Sequence, residues 1–379
     1  MRLQLFIVGA AFITAIGSGA LYAQTAPAPK PKPQPDVLIF TDGEKLIGQL
    51  KSAKGDSVVF KSDMAGEVTV AWSKIQELHT THPFAVVAKS AKLGKHADIS
   101  HIPEGTLEMT DQKITVTPAT GAAQTVAVKD AGFLVPQPDF EKAINHDERF
   151  VSDWGGTVTA GVSLVESTQD SETLTGGITL VRTEPSETWL NPSTRTLVNV
   201  SASYGEISQP GVPSIKTDIV HAGLEEDKYF SPRLFGFVQT AFDHNYSLGL
   251  DVQQMYGGGI GWTVYKAATA ELDLKAGVTY IHQNFYDSAN NESLVGSTFG
   301  EIYTHKFAHG VLLNEQITLI PAWNDLNAYS GTGSVGLALP VHKRLSVSLN
   351  ALDAFLNNPP PGFKKDSFQF TAGLSYALR

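Results

Sequence analysis

A strict alternation of large apolar and small polar side chains, along segments of ten or more residues, most constrains how this chain can fold. In the last such segment the alternate positions are Phe368, Phe370, Ala372, Leu374, Tyr376 and Leu378. The positions between them are Ser367, Gln369, Thr371, Gly373, Ser375 and Ala377. Successive side chains of a β-strand point to opposite faces, so the pattern predicts a strand with one apolar and one polar face.

The same alternation recurs in segments 194–204, 270–282 and 344–351. In 270–282 one face carries Ala270, Leu272, Leu274, Ala276, Val278 and Tyr280. The other carries Glu271, Asp273, Lys275, Gly277, Thr279 and Ile281. A tilted strand needs about 9–11 residues to cross a membrane, whereas strands of soluble sheets are usually shorter. The length therefore favours strands whose apolar face contacts lipid.

The fold class predicted from these segments is all-β: a transmembrane antiparallel β-barrel of about twelve strands, preceded by small periplasmic β modules. The polar faces are rich in Gly, Ser and Thr, which suits a narrow lumen. A soluble secreted β protein is the alternative, because a core can also bury the apolar face. The predicted strands are 154–166, 172–183, 194–206, 215–229, 233–246, 250–265, 268–285, 293–306, 310–321, 327–340, 342–356 and 364–378.

The connections between the predicted strands are of two kinds. Those after even-numbered strands are tight, and those after odd-numbered strands are mostly longer and polar, as expected for the periplasmic and external ends of a barrel. One long connection, 185–193, falls on the predicted short side.

The N-terminal residues predict export. Arg2 precedes an apolar run and then small residues, the pattern of a signal peptide spanning 1–23 and cleaved after Ala23 or Ala20. A retained membrane anchor is the alternative. Residues 24–35 read as a Pro-rich linker. The net charge of −10 argues against nucleic acid as a partner, and with no cysteine the chain forms no disulfide.

Two β modules are predicted before the barrel. Residues 36–80 contain short β-branched runs separated by turn signals, and 81–136 echoes them. The echo pairs VTVAWSKIQEL at 68–78 with QTVAVKDAGFL at 124–134. Two unrelated strand regions are the alternative. Residues 137–153 are charged and read as a linker or short helix, and the predicted barrel occupies 154–379.

Several stretches resemble a known family. They are TDGEKLIGQL, AGEVTVAWSKIQEL, DKYFSPRLFGFVQTAFDHN, GGGIGWTVYK and NNPPPGFKKDSFQFTAGLSY. In this order they resemble domain of unknown function 481, whose members are described as salt-induced outer-membrane proteins. The resemblance covers about 36–80 and 150–379, and 81–136 has no counterpart in it. It implies an outer-membrane barrel with a periplasmic β module and implies no activity.

Charged residues within the predicted strands are the candidates for the lumen lining. They are Arg182, Arg195, Glu225, Asp227, Glu271, Asp273, Lys275, Glu301 and Arg344. They could line a pore, or they could fill a small barrel with ion pairs. A twelve-strand lumen lies between the filled eight-strand and the open sixteen-strand cases, so strand number leaves both alternatives open.

Two histidine-containing segments are the candidates for chemistry. Asp243 and His244 form an Asp-His pair near a predicted external strand end, the place where a barrel hydrolase could act. His79 and His82 share a short segment, but two imidazoles without a third ligand make a poor metal site. We therefore expect no cofactor and no enzyme activity, and the hydrolase stays an alternative.

The sequence favours a barrel that acts in envelope integrity or as a narrow channel. Its expected partners are outer-membrane lipid, lipopolysaccharide, the barrel-assembly machinery and a periplasmic envelope component. The closing strand 364–378 resembles the terminal signal that the assembly machinery reads, although Leu378 and Arg379 replace the usual terminal Phe.

Overall fold

The computed structural model describes residues 34–145, 149–165, 170–209 and 212–378. The predicted signal peptide, 1–23, lies outside these residues, as does most of the predicted linker. Within the described residues, no α-helix is both long and apolar enough to cross a membrane. The described chain forms two sheets, of ten and of twelve strands.

The N-terminal sheet is built from ten short strands. These are β1 (Asp36–Phe40), β2 (Lys45–Lys54), β3 (Ser57–Ser62), β4 (Gly66–Ala71), β5 (Ile75–His79), β6 (Phe84–Ala88), β7 (Glu104–Thr110), β8 (Lys113–Thr117), β9 (Gln124–Ala127) and β10 (Ala131–Pro136). Six of them pair in a ring, β1-β5-β7-β6-β10-β2, which the pairing of β1 with β2 closes. The core inside the ring includes Leu38, Phe60, Leu78, Met109 and Leu134.

The two halves of this sheet have the same order of elements. Strands β1 to β5 correspond to β6 to β10, and a single 3₁₀ turn precedes the last strand of each half, Trp72–Lys74 and Val128–Asp130. Gly48 and Gly105 are equivalent too, since a Cβ on either would collide with a neighbouring backbone carbonyl. The last strand of each half pairs with the second strand of the other, so 36–80 and 81–136 form one domain.

The N-terminal domain packs against the barrel through the long connection 185–193. After β10, helix α1 (Gln137–Asn145) places Phe140 against Trp189, with ring centroids 5.2 Å apart. Leu190 is buried in the same cluster. The backbone N–H of Asn191 donates a hydrogen bond to the backbone carbonyl of Leu93 at 2.7 Å. The unexpected length of this connection is thus explained by its contact with the domain.

The C-terminal sheet is a closed antiparallel barrel of twelve strands, which confirms the predicted fold class. The strands are β11 (Gly155–Val165), β12 (Asp170–Glu184), β13 (Thr194–Gln209), β14 (Val212–Tyr229), β15 (Leu234–Asn245), β16 (Leu250–Lys266), β17 (Ala270–Phe285), β18 (Glu292–Lys306), β19 (Leu312–Ile320), β20 (Ser330–His342), β21 (Leu345–Leu356) and β22 (Asp366–Ala377). No predicted strand end lies more than three residues from the observed one. Strand β22 pairs with β11 and closes the barrel.

An apolar band covers the outside of the barrel. Its exposed members include Val158, Leu174, Ile178, Val200, Leu224, Val238, Ile260, Leu274, Val278, Phe299, Leu319, Val335, Phe368, Phe370 and Leu374. A contiguous apolar surface of this extent is unfavourable in water and favourable in a bilayer. The alternation seen in the sequence therefore separates a lipid-facing exterior from a polar interior.

Candidate functional site in the barrel lumen

The register of the paired strands assigns each residue to the lumen or to the outside. On β17 the outward Leu274 and Tyr280 are exposed, while the inward Asp273, Lys275 and Thr279 are buried. Residues directly opposite each other in neighbouring strands share a face, so this assignment extends around the whole barrel.

Arg195, near the start of β13, is the centre of an ion-pair network in the lumen. Its Nε donates to Asp227 Oδ2 at 2.7 Å, and Nη2 donates to Asp273 Oδ2 at 2.8 Å. Nη1 lies 3.5 Å from Glu271 Oε1. Asp227 is on the adjacent strand β14, but Asp273 is on β17, with β14, β15 and β16 between the two strands. The network therefore crosses the lumen.

Two further pairs extend the network. Lys275 on β17 donates to Glu225 on β14 at 2.6 Å, and Lys266 lies 2.9 Å from Glu271. The side chains of Lys275 and Glu225 are only 7% and 12% exposed. Removing one partner of a buried pair leaves an unpaired charge, so each carboxylate here depends on its cation.

Aromatic rings support the network from the wall of the barrel. The Arg195 guanidinium lies 5.1 Å from the ring centroid of Phe235, and the Lys275 ammonium lies 5.3 Å from that of Phe237. Both rings are on β15 and almost fully buried. Phe235 lies over Gly261 of β16, where any side chain would collide with the ring.

A second polar chain lies deeper in the lumen, towards the other end of the barrel. His221 Nδ1 is 2.6 Å from Asp243 Oδ1, and the Gln253 amide donates to Asp243 Oδ2 at 3.0 Å. Gln283 in turn donates to Gln253 at 2.7 Å. These four residues lie on β14, β15, β16 and β17, one on each strand. They fill the same side of the lumen as the Arg195 network.

The opposite side of the lumen is lined without charge. Six strands that are consecutive around the barrel, β19, β20, β21, β22, β11 and β12, have no Asp, Glu, Lys or Arg at any described inward position. Their inward residues are mainly Ser, Thr, Asn, Gln and Gly. Among them Thr179, Asn314 and Gln316 are exposed although they lie inside the closed barrel. We call this surface, formed by the inward residues of the six strands, the neutral half.

The structure places six of the nine predicted lining residues together in the lumen. These are Arg195, Glu225, Asp227, Glu271, Asp273 and Lys275, all members of the Arg195 network. Their role in lining a pore remains a prediction.

The other three predicted lining residues lie elsewhere. Arg182 pairs with Thr196 on the outward face, and its Nε donates to the carbonyl of Ser152. Glu301 lies opposite Leu274 and Ile317, which both face outward. Arg344 lies in the turn before β21 and donates to the carbonyl of Leu378 at 3.1 Å. The register therefore corrects the placement of Arg182 and Glu301, because their strand positions have the parity of lipid-facing residues.

The Asp243–His244 pair is split by the strand. Asp243 faces the lumen, whereas His244 faces outward, where its Nδ1 contacts the Asp251 carbonyl at 2.6 Å. Adjacent strand residues point to opposite faces, so the two side chains cannot act as a dyad. Of the two candidate metal-site histidines, His79 lies 3.3 Å from Glu77 and His82 lies 3.8 Å from Asp36. Among the described residues, no group of three His, Cys, Asp or Glu could hold a metal ion.

Sequence reasoning missed the aromatic and amide members of the lumen. Phe235, Phe237 and Tyr229 are not among the predicted lining residues, yet all three contact the lumen cations. His221 and Gln253 contact Asp243 because the strand register places them directly opposite it on the neighbouring strands, and the sequence alone does not give this register. The parity of Phe235 and Phe237 relative to Asp243 is the one signal that could have indicated their inward direction.

Comparison with solved structures finds outer-membrane barrels at low overall similarity. The NanC porin matches with a TM-score of 0.36 and 10% identity, over 59% of this chain and 100% of that chain. The translocator domain of the autotransporter NalP from Neisseria meningitidis matches with 0.32 and 11%, over 59% and 87%. The outer membrane channel DcaP of Acinetobacter baumannii matches with 0.26 and 11%, over 91% and 94%. A comparison with curated proteins finds no match.

The closed barrel, its apolar exterior and its polar interior define a β-barrel protein of the outer-membrane type with an N-terminal β domain. The family model described as "Protein of unknown function, DUF481" matches residues 158–378, more than half of the chain. The chain belongs to this family. The matched region lies within the barrel and does not include the N-terminal domain.

Proposed function

We propose that the protein is a narrow, water-filled channel of the bacterial outer membrane. One observation carries the proposal: the lumen is filled on one side by the Arg195 network, while Asn314 and Gln316 on the other side are exposed. If side chains filled the whole barrel interior, the residues lining both sides of the lumen would be buried. The ion pairs narrow the channel, and the neutral half leaves a polar path beside them.

The proposed orientation has the N-terminal domain in the periplasm and the outward apolar band in contact with outer-membrane lipid. The short turns 267–269 and 343–344 lie at the same end as the connection that holds the domain, which supports this orientation. At the other end, Lys364 and Lys365 are exposed in the connection before β22 and are available to lipopolysaccharide phosphates. In this proposal β22 is the strand that the barrel-assembly machinery recognises, and the N-terminal domain docks on a periplasmic component.

Reconstitution in planar bilayers tests the channel. We expect small conductance steps, well below those of an open sixteen-strand pore, because half of the lumen is filled. Complete absence of steps from correctly folded protein would leave only a role in envelope integrity. The orientation is tested separately by protease treatment, since the N-terminal domain should resist cleavage in intact cells and become sensitive once the outer membrane is opened.

A further inference from the structure

The charge distribution in the lumen divides the barrel into two equal parts. All inward Asp, Glu, Lys and Arg residues at described strand positions belong to β13–β18, and most of them are engaged in ion pairs. The neutral half contributes hydroxyl and amide groups, which both donate and accept hydrogen bonds. A solute moving along this side meets hydrogen-bonding partners and no compensating charge.

The filled side adds a weak negative field. Inward acidic residues in β13–β18 are Glu225, Asp227, Asp243, Glu271, Asp273 and Glu292. Inward Lys and Arg residues are Arg195, Lys266, Lys275 and Lys306. Six negative and four positive groups give a formal charge of 4 − 6 = −2. A lumen of this kind attracts no anion, and the pairing of its charges reduces the attraction for cations.

We propose that the neutral half conducts small uncharged polyhydroxylated solutes, such as polyols and monosaccharides, and disfavours organic anions of the same size. This inference rests on the proposed channel function and names its substrate class. Hydroxyl groups of the solute replace water by bonding to side chains such as Gln316, Asn350 and Thr371. A carboxylate would lose hydration in the narrow path, and the side chains of the neutral half offer it no cationic partner.

The test is uptake into proteoliposomes of arabinose and of arabinonate, its oxidised anion of nearly equal size. We expect arabinose to enter several-fold faster than arabinonate. The variant Gln316→Trp should reduce arabinose uptake several-fold, because the indole would occupy the open side of the lumen. The matched control is Ile317→Trp, whose side chain faces lipid on the next residue of the same strand and should leave uptake unchanged.

A charge introduced into the neutral half should change the preference. Gln316→Arg is expected to raise the arabinonate rate relative to arabinose. Equal entry of the two solutes into wild-type vesicles, or equal effects of Gln316→Trp and Ile317→Trp, would overturn the inference and leave a channel of another selectivity. Uptake of neither solute, together with no conductance from folded protein, would instead overturn the channel itself.

Discussion

Arg195 and Asp273 form an ion pair of 2.8 Å inside the barrel although β14, β15 and β16 separate their strands in the sheet. Such a contact requires the wall to curve so that β13 and β17 approach across the lumen. Glycines permit this curvature: Gly259 on β16 and Gly277 on β17 are paired, and a Cβ on either would collide with the backbone of the other strand. The ion pair and the close approach of the two glycines belong to one feature: the barrel wall bends towards the lumen at β16 and β17 and encloses the buried charges. We call this feature the inward-folded wall.

Replacing Arg195 by Ala should destabilise the barrel strongly. The substitution leaves Asp227 and Asp273 buried without their cation, and breaking a buried pair in this way costs about 3–5 kcal/mol. Urea unfolding in lipid vesicles measures the loss. Arg344→Ala is the control, because Arg344 is exposed and makes one hydrogen bond to a backbone carbonyl, and its loss should cost less than about 1 kcal/mol.

A variant that removes the charges of Arg195, Asp227 and Asp273 together separates two effects of Arg195 on stability. One is its charge pairing with the two carboxylates, and the other is the volume that its side chain fills. The triple variant Arg195→Met, Asp227→Asn, Asp273→Asn should recover much of the stability lost in Arg195→Ala, because no uncompensated charge remains. Equal instability of both variants would show that packing against Phe235, and not charge pairing, holds this part of the wall.

The barrel could be predicted from the sequence because its strands are long and their two faces are chemically distinct. On β13 and β17 the predicted faces agree with the structure at every position that the register tests. The prediction that Arg182 and Glu301 line the lumen was wrong, and the sequence itself contains the reason. Arg182 has the parity of Ile178, and Glu301 has the parity of Phe299, so their placement in the lumen contradicted the period of their own strands.

The network itself could not be predicted from the alternation. A period of two identifies inward residues but not which of them meet across the lumen, since that depends on register, stagger and curvature. The contact of Arg195 with Asp273 spans 78 residues of sequence. The approach of Phe235 to Gly261 likewise depends on the pairing of β15 with β16.

Gly259→Val should prevent formation of the barrel. A branched side chain at this position would collide with the backbone carbonyl of Ala276, where the wall is folded inward. Heat-modifiable migration in detergent gels reports the folded barrel, and we expect the variant to show only the unfolded band. Gly333→Val in β20 is the matched control, because nothing lies within 4 Å of its added Cβ. Normal folding of Gly259→Val would contradict the inward-folded wall.

Leu190→Asp should detach the N-terminal domain from the barrel. Leu190 is 6% exposed in the cluster with Val87, Leu93 and Phe140, so a carboxylate there would lose its hydration. Limited proteolysis should then cleave the region 149–154 faster, while heat-modifiable migration of the barrel stays unchanged. Glu187→Ala, in the same connection but with an exposed side chain, should leave the cleavage rate as in wild type. An unchanged rate in Leu190→Asp would mean that other contacts hold the domain.

Glu104 should make the N-terminal domain more stable in acid than at neutral pH. Burial raises the pKa of Glu104, and the nearby Glu141 carboxylate raises this pKa further, while a hydrogen bond from Gln137 acts in the opposite direction. A carboxyl whose pKa is higher in the folded state contributes stability that is fully present below its unfolded pKa of about 4.3. That contribution is lost as the pH rises through the folded-state pKa.

Glu104→Gln removes this dependence, because the amide does not titrate. At pH 7 the variant should protect the amides of β7 from hydrogen exchange better than wild type does, and the difference should disappear as the pH falls towards the unfolded pKa of about 4.3. Glu67→Gln, on β4 of the same domain with an exposed side chain, is the control and should show no such crossover. A protection difference that is the same at both pH values would mean that the amide changes packing, and the buried charge at Glu104 would not be the cause.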